Sequence, residues 1–347
     1  MIRVKALAVT APKQTGFFDL ETPALGFGEA LVRVRAVALC TLEQRVFQGV
    51  IKLPLPFVGG HEVAGEVIAL GAGADPTAFP PGTRVAVRLF YHCGLCAACR
   101  SGQSNMCEAA KHKPVREGLL PGPGGLMDQV IVPVNMLFKI DDAISYEQAS
   151  LTEPLACCVH SINRAAIRLG EDVVVIGGGV MGQFHVMLAK LRGARVLMSE
   201  PLEKRRETAL ALGADRAIDP TREDPVAAVG AWTGGERAGA VINTTADAGV
   251  FAQAFSMVGK GGRLIQYSSI HPDVPASISP QHTHAWEVTV TGSVSPVLED
   301  FATANRLLNL GIIKVDRLIS AVFPFEEGQQ AFETAVRPET MRVVVTR

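Results

Sequence analysis

The sequence predicts an α/β protein with a β-rich first part and a doubly wound parallel sheet in its second part. Its 347 residues correspond to two domains of roughly 150 residues each. Short alternating segments such as 29–37 and 83–87, separated by Pro and Gly, predict antiparallel strands in the first part. From Asp172 onward, runs of Val and Ile alternate with amphipathic helical stretches, which is typical of a parallel sheet covered by helices. The pattern changes near residue 150, where we place the domain boundary.

The overall charge excludes two classes of partner. The chain carries 33 Lys and Arg against 34 Asp and Glu, with a pI near 6.7. Without a stripe of basic residues, nucleic acid and anionic membranes are poor partners. Residues 1–7 alternate like an opening strand and lack the apolar core of a signal peptide, so we expect a cytoplasmic protein. The most apolar run, 173–189, is interrupted by glycines and polar residues and is too short to span a bilayer.

One glycine-bracketed stretch, residues 59–67, sets an imidazole beside a carboxylate at His61 and Glu62. Two further residues of the types that bind zinc lie far away in sequence, at Cys40 and Glu153. If the fold gathers these four side chains, they form a metal site with sulfur, nitrogen and oxygen ligands. Mixed ligation of this kind suits catalysis, because structural zinc usually sits in closed, Cys-rich sets. The alternative is that His61 is an ordinary turn histidine.

Four of the seven cysteines predict a second metal site of a different kind. Two residues separate Cys93 from Cys96 and Cys96 from Cys99, and a longer segment leads to Cys107. This spacing brings the four side chains together. Four thiolates complete a tetrahedron around zinc and leave no open position, so this lobe is expected to hold a loop together and to do no chemistry. The alternatives are an iron–sulfur cluster, whose bacterial spacing and following Pro are missing, and four unligated core cysteines.

A glycine-rich turn follows a predicted buried strand at 173–176 and opens a helical run that reaches residue 192. It has the G-x-G-x-x-G spacing, and the residues expected to contact a cofactor are Gly177, Gly179, Val180, Met181 and Gly182. Here the glycines allow a pyrophosphate to approach closely, and the helix N-terminus offers N–H groups. The turn therefore predicts a dinucleotide site, the alternative being a purely structural glycine turn.

The residue that ends the next strand indicates which dinucleotide binds. Glu200 follows the strand at 195–199, and a carboxylate there accepts hydrogen bonds from the adenosine ribose and repels a 2′-phosphate. This favours NAD over NADP. Arg205 and Arg206 weaken the preference, because a nearby Arg can accommodate that phosphate.

Together, these motifs resemble the zinc-dependent medium-chain alcohol dehydrogenase family, and the resemblance runs essentially end to end. The segments that carry it are Gly60-His61-Glu62-x2-Gly65-x5-Gly71, Phe79-x2-Gly82-x-Arg84-Val85, the four-cysteine lobe, Glu153-Pro154-Leu155 and the glycine turn. The family implies a GroES-like catalytic domain at 1–150, a Rossmann dinucleotide-binding domain at 151–295 and a C-terminal segment at 296–347 that returns to the catalytic domain. Glu153-Pro154-Leu155 with Val159-His160-Ser161 is similar to the polyol and threonine dehydrogenase branch.

The resemblance also implies roles for single residues. Cys40, His61 and Glu153 match the ligands of a catalytic zinc, and Glu62 matches a residue that coordinates directly or through water. A zinc ion there acts as a Lewis acid on the substrate hydroxyl, and hydride passes to the nicotinamide. Two zinc ions per subunit, one catalytic and one structural, and a homodimer or homotetramer are further implications.

Around Cys40 the chain departs from the family pattern. Leu42 stands where the family usually carries the Ser or Thr that begins a proton relay, and Arg45 stands where many members carry His. Glu43 replaces the Asp that usually orients the ligand histidine. Thr41 or Glu62 is then left to transfer the proton.

The sequence therefore predicts an NAD-dependent oxidoreductase of a secondary alcohol, polyol or similar hydroxy compound. The alternative is a non-catalytic protein that keeps the fold and binds NAD and zinc, as the departures at Leu42 and Arg45 would allow. The sequence leaves open the substrate, the physiological direction, the proton route, and whether Glu62 or Glu153 is the fourth zinc ligand at rest.

Overall fold

The computed structural model describes residues 1–112 and 115–347, which divide into two compact units. Unit 1 comprises residues 1–156 and 297–347, and unit 2 comprises residues 157–296. The division between the units falls inside the helix Thr152–Ala165. Among the described residues, no helix is both long enough and apolar enough to cross a membrane.

Unit 1 is built on antiparallel strands. Its strands are β1 (Ile2–Ala11), β2 (Gln14–Thr22), β3 (Glu29–Ala38), β4 (Glu62–Leu70), β5 (Arg84–Arg88), β6 (Gln129–Pro133), β7 (Leu137–Lys139), β14 (Ile319–Pro324) and β15 (Arg342–Thr346). Its helices are α1 (Thr41–Phe47), α2 (Ala97–Arg100), α3 (Tyr146–Ser150), the first turn of α4 (Thr152–Ala165), α10 (Leu298–Asn309) and α11 (Gly328–Ala335). The main sheet has the order β14-β15-β3-β4-β5-β7, with β6 also paired to β3. All of its pairings are antiparallel except β14 with β15.

The core of unit 1 lies on one face of this sheet, where small β-branched residues predominate. Val32, Val67, Val85 and Val87 have no exposed surface, and they pack with aromatic side chains such as Phe47 from α1. Each fully buried Val contributes on the order of 1.5–3 kcal/mol through removal of apolar surface from water. This packing fixes α1 against the sheet, and α1 carries the first of the candidate metal ligands at its start.

A glycine explains how the chain reaches the start of β4. Gly60 has φ +85°, and a Cβ there would meet the backbone N of Leu126 at 2.7 Å. Only Gly accommodates this conformation and this close approach without strain. The tight turn brings His61, the next residue, to the buried end of the sheet.

Unit 2 is a doubly wound parallel sheet. Its strands are β8 (Asp172–Ile176), β9 (Arg195–Ser199), β10 (Arg216–Ile218), β11 (Ala238–Asn243), β12 (Val258–Gln266) and β13 (Thr289–Gly292). The helices are the remainder of α4, α5 (Val180–Leu191), α6 (Glu203–Ala211), α7 (Pro225–Trp232), α8 (Ala248–Ser256) and α9 (Pro280–Ala285). The order β10-β9-β8-β11-β12-β13 reverses direction between β8 and β11, and ligands of such sheets bind at the carboxyl ends of the strands at this point. The parallel sheet agrees with the predicted fold class.

Candidate metal centres and dinucleotide site

Three of the four predicted catalytic-zinc residues form one buried cluster. The ligand atoms of Cys40, His61 and Glu62 all lie within 4.8 Å of one another. Cys40 precedes the first turn of α1, His61 precedes β4, and Glu62 is the first residue of β4. His61 is only 8% exposed and Glu62 is fully buried. We call these three residues the buried trio.

Glu43 holds the His61 ring in place. Its Oε1 lies 3.0 Å from His61 Nδ1 and also accepts a hydrogen bond of 2.9 Å from the Gly60 N–H. Burial opposes ionisation, yet the His61 ring and the Gly60 N–H lower the pKa of the Glu43 carboxyl below its ordinary value. A carboxylate on Nδ1 makes this nitrogen the donor and leaves Nε2 available to bind a metal.

Arg342 pairs with Glu62 from the last strand of the chain. Its Nη2 lies 2.9 Å from Glu62 Oε1, and its Nη1 donates to the Leu39 carbonyl at 3.1 Å. Both charged side chains are almost completely buried. The sequence analysis does not identify Arg342, whose only signal is a charged residue before a run of three valines.

The electrostatics of the trio favour a cation. Burial raises the pKa of Glu62 to about 7, against the lowering effect of Arg342, and burial also raises the pKa of the Cys40 thiol. Burial disfavours the charged imidazole, but Glu43 and Cys40 raise the pKa of His61 well above its ordinary value. Burial therefore disfavours negative charge on Cys40 and Glu62, and a bound cation would offset that cost. A thiol, an imidazole and a carboxylate at this spacing fit zinc.

Glu153 lies next to the buried trio. It is 4% exposed in the first turn of α4, and its Oε2 is 4.0 Å from His61 Nε2. Thr41, the first residue of α1, is exposed. Leu42 packs against the apolar core of unit 1, and Arg45 is half-buried farther along α1.

The structure brings together the predicted cysteine lobe as a second group. The sulfur atoms of Cys93, Cys96, Cys99 and Cys107 all lie within 4.8 Å of one another. Only Cys107 is fully buried, and the other three are partly exposed. The lobe is therefore built close to the surface from one short stretch of chain.

Backbone N–H groups support the thiolates of this lobe. The N–H groups of Leu95 and Cys96 donate to Cys93 Sγ at 3.4 and 3.3 Å, and the Cys93 N–H donates to Cys107 Sγ at 3.3 Å. The donors from Leu95 and Cys96 lower the pKa of the Cys93 thiol to about 6. Four sulfur ligands with backbone support fit a closed zinc site.

The glycine-rich turn packs too tightly for side chains. A Cβ on Gly182 would lie 1.8 Å from the Gly177 carbonyl oxygen, and one on Gly177, which has φ +93°, would lie 2.6 Å from Thr244 Oγ1. Gly179, which precedes α5, has more space around it than Gly177 and Gly182. The nearest atom to a Cβ there would be Arg205 Nη1, at 3.9 Å. The turn is thus open at Gly179, where the N-terminus of α5 offers N–H groups to an anion.

Glu200 is held beside this turn. It is 3% exposed, and its two oxygens accept hydrogen bonds from the N–H groups of Gly178 at 2.5 Å and Leu202 at 2.9 Å. Arg205 Nη1 lies 4.0 Å from Glu200 Oε2. Of the other two predicted residues, Val180 is buried and Met181 is half-buried at the start of α5. A glycine turn, a helix N-terminus and an acid at the end of the second strand fit a dinucleotide.

The chain matches two dehydrogenase family models and is similar in sequence to named dehydrogenases. Residues 26–142 match the alcohol dehydrogenase GroES-like domain, and residues 180–309 match the zinc-binding dehydrogenase family. The chain is 30% identical over 352 residues to L-galactonate-5-dehydrogenase of Escherichia coli (strain K12), covering 100% of both chains. It is 29% identical to an L-threonine 3-dehydrogenase of Caldanaerobacter subterraneus subsp. tengcongensis, covering 94% of this chain and 93% of the relative.

A solved structure agrees with these matches. A zinc-binding dehydrogenase target from Sinorhizobium meliloti 1021, bound to NADP, superposes with a TM-score of 0.90 at 26% identity and covers 100% of both chains. The similarity confirms the predicted combination of a GroES-like domain with a Rossmann domain. The named relatives are enzymes, which supports a catalytic function over the non-catalytic alternative. The chain is an oxidoreductase that belongs to the zinc-dependent medium-chain alcohol dehydrogenase family, in the branch of the polyol and threonine dehydrogenases.

Proposed function

We propose that this enzyme oxidises a secondary alcohol group of a polyol or a similar hydroxy compound, with NAD as the hydride acceptor, at a zinc site formed by Cys40 and His61 with the carboxylates of Glu62 and Glu153. The observation that carries the proposal is the buried trio, whose ligand atoms lie within 4.8 Å of one another. When bound there, zinc supplies a Lewis acid that lowers the pKa of the substrate hydroxyl. The E. coli and Caldanaerobacter relatives act, by their names, on a hydroxy acid and a hydroxy amino acid.

Each residue around the trio has a role in this proposal. Glu43 keeps Nδ1 of His61 protonated, so that Nε2 would be the nitrogen that holds zinc. Glu153, 4.0 Å from the same Nε2, and Glu62 are the two carboxylates that can complete the ligand set. Glu62 also receives the hydroxyl proton through water, because its carboxylate adjoins the ligand His61 in the buried trio. Thr41 is the alternative route for that proton.

We propose a structural zinc in the cysteine lobe, which gives two zinc ions per subunit. The four sulfur atoms of the lobe fill a tetrahedral ligand set, so no position remains for substrate. Clustered thiolates of this kind persist in a reducing compartment, which supports the cytoplasm as the location.

NAD is the proposed cofactor. Glu200 is fixed by two backbone N–H donors, so a 2′-phosphate would approach an immobile carboxylate. Arg205 counters this repulsion only in part, because it already lies 4.0 Å from the same carboxylate.

Glu200→Ser should therefore narrow the difference in affinity between NAD and NADP. A wild-type enzyme that uses NADP at least as well as NAD would contradict this assignment, and the Sinorhizobium relative bound to NADP makes the comparison necessary.

We propose that the enzyme is a homodimer or homotetramer. Strand β13 is the outer strand of the parallel sheet, and Val290 and Val294 expose apolar surface along it or just beyond it. An exposed strand edge of this kind pairs readily with a second copy across a two-fold axis. Light scattering at micromolar concentration tests the proposal, and a monomer there would refute it.

A substrate panel tests the catalytic function. Polyols, sugar acids, amino alcohols and aromatic alcohols are each supplied with NAD and with NADP, and reduced cofactor is followed by its absorbance. We expect turnover of at least one polyol or hydroxy acid with NAD, and loss of that turnover when zinc is removed. If zinc-loaded enzyme turns over none of these compounds, the proposed substrate class is wrong.

A further inference from the structure

Helix α5 carries a buried amide among mostly apolar side chains. Gln183 has no exposed surface, and it lies on α5 among buried residues such as Phe184 and Val186. Burial of an amide costs free energy unless its polar atoms find partners. The partners of Gln183 therefore indicate what the residue does.

The Gln183 amide joins the glycine turn to the next helix. Its Nε2 donates to the Gly178 carbonyl at 2.8 Å and to the Arg205 carbonyl at 2.9 Å. Both partners are acceptors, so the nitrogen of the amide, and not its oxygen, must face them. Arg205 belongs to the first turn of α6, so one side chain holds the turn and that helix at a fixed separation.

These contacts fix the direction of the N–H group that faces the open side of the turn. The Gly178 carbonyl and the Gly179 N–H belong to the same trans peptide group, in which they point in opposite directions. Because Gln183 holds the carbonyl toward the interior, the Gly179 N–H points away from it. On the other side of Gly178, its own N–H donates to Glu200 Oε2 at 2.5 Å. Both peptide groups that flank the Gly178 Cα are thus held.

We propose that Gln183 is a positioning residue for the dinucleotide, aiming the Gly179 N–H at the pyrophosphate and setting α6, with Arg205, beside it. Gln183 acts through Gly178 and Arg205 and contacts no cofactor atom. This inference rests on the proposed use of NAD.

The test compares Gln183→Leu with a matched control. Leu keeps the approximate volume and removes both hydrogen bonds. Thr233→Val serves as the control, because Thr233 is also buried in unit 2 and its hydroxyl bonds to Val229 and to the Arg237 N–H, away from the turn. Both variants are measured for melting temperature, for the Kd of NAD by calorimetry, and for kcat at saturating NAD with the best substrate of the panel.

We expect Gln183→Leu to raise the Kd of NAD about tenfold, the typical net worth of one or two lost hydrogen bonds, with kcat within about twofold of wild type. Thr233→Val should lower the melting temperature to a similar extent without changing the Kd. If Gln183→Leu melts lower yet binds NAD like the wild type, the role of Gln183 is only structural and the proposal is overturned.

A second variant covers a failure of Gln183→Leu to fold. Gln183→Met has an unbranched apolar chain that fits the same space, and the same rise in the Kd of NAD is expected. Failure of both variants to fold, with Thr233→Val folded, would also assign a purely structural role to Gln183. A wild-type protein that binds neither NAD nor NADP would instead refute the proposed function, which the calorimetry of the unmodified enzyme distinguishes.

Discussion

The two metal-type clusters are built in opposite ways. The cysteine lobe takes all four ligands from one short stretch of chain, and three of them are partly exposed. The buried trio takes its ligands from the start of α1 and the start of β4, and Arg342 pairs with it from the far end of the sequence. A local cluster can bind metal with little help from the fold, whereas a buried cluster depends on it. The following substitutions test whether this contrast holds.

The largest effect is expected for His61→Ala. It removes the nitrogen ligand of the trio and the partner of Glu43, so we expect the rate of alcohol oxidation to fall by about a thousandfold or more. Elemental analysis should find one zinc per chain instead of two, because the cysteine lobe shares no ligand with the trio. Loss of both zinc ions from folded protein would show that the two sites are not independent.

The same contrast explains what the sequence could predict. The spacing of the lobe cysteines predicts their cluster, because neighbouring residues in a tight loop cannot move far apart. The sequence predicts that Cys40 and His61 come together only through the family resemblance. Arg342 was missed because its position follows from strand register, in which Ala38 of β3 pairs with both Glu62 of β4 and Val344 of β15. Pairing between strands so distant in sequence leaves no local pattern to read.

Gln183 escaped prediction for a related reason. A polar residue in a mostly apolar helix is compatible with a surface position, a cavity or a hydrogen-bonded network. Only the close approach of the Gly178 and Arg205 carbonyls identifies the network. The periodic pattern of α5 could predict the helix, but it carries no information about these partners.

Arg342→Met is expected to have the next largest effect. It leaves Glu62 buried without its cation, which typically costs about 3–5 kcal/mol of stability. Denaturant unfolding measures this loss. Arg3→Met is the matched control, since its pair with Glu21 is 3.4 Å long and mostly exposed, and we expect it to cost less than about 1 kcal/mol. Adding Glu62→Gln to Arg342→Met should recover part of the loss, and a stable single variant would argue against the importance of the pair.

Glu62→Gln alone tests whether Glu62 transfers the substrate proton, as distinct from helping to bind zinc. The amide keeps an oxygen ligand and removes the base, so we expect about a hundredfold slower oxidation while zinc remains bound. Thr41→Val should cost much less, because Thr41 is the exposed first residue of α1 and Glu62 carries the proton in our proposal. Near-normal turnover of the Glu62→Gln enzyme, combined with a collapse of Thr41→Val, would transfer the role to Thr41.

The smallest effect on catalysis is expected for Cys96→Ser in the lobe. The substitution opens a closed four-thiolate set, so the structural zinc should be lost or bound weakly, and metal binding of this kind is linked to folding. We expect the melting temperature to fall by about 5 °C, which corresponds to a loss of roughly 2 kcal/mol in the free energy of unfolding of a domain of this size. The lobe lies near the surface and supplies no catalytic group. The folded fraction should keep kcat within about twofold, since the trio is unchanged.

Thermal melting, zinc content and kcat are measured on the same preparation. Unchanged melting with two zinc ions still bound would contradict the structural-zinc proposal, and a loss of kcat as deep as that of His61→Ala would mean that the lobe supports the buried trio directly.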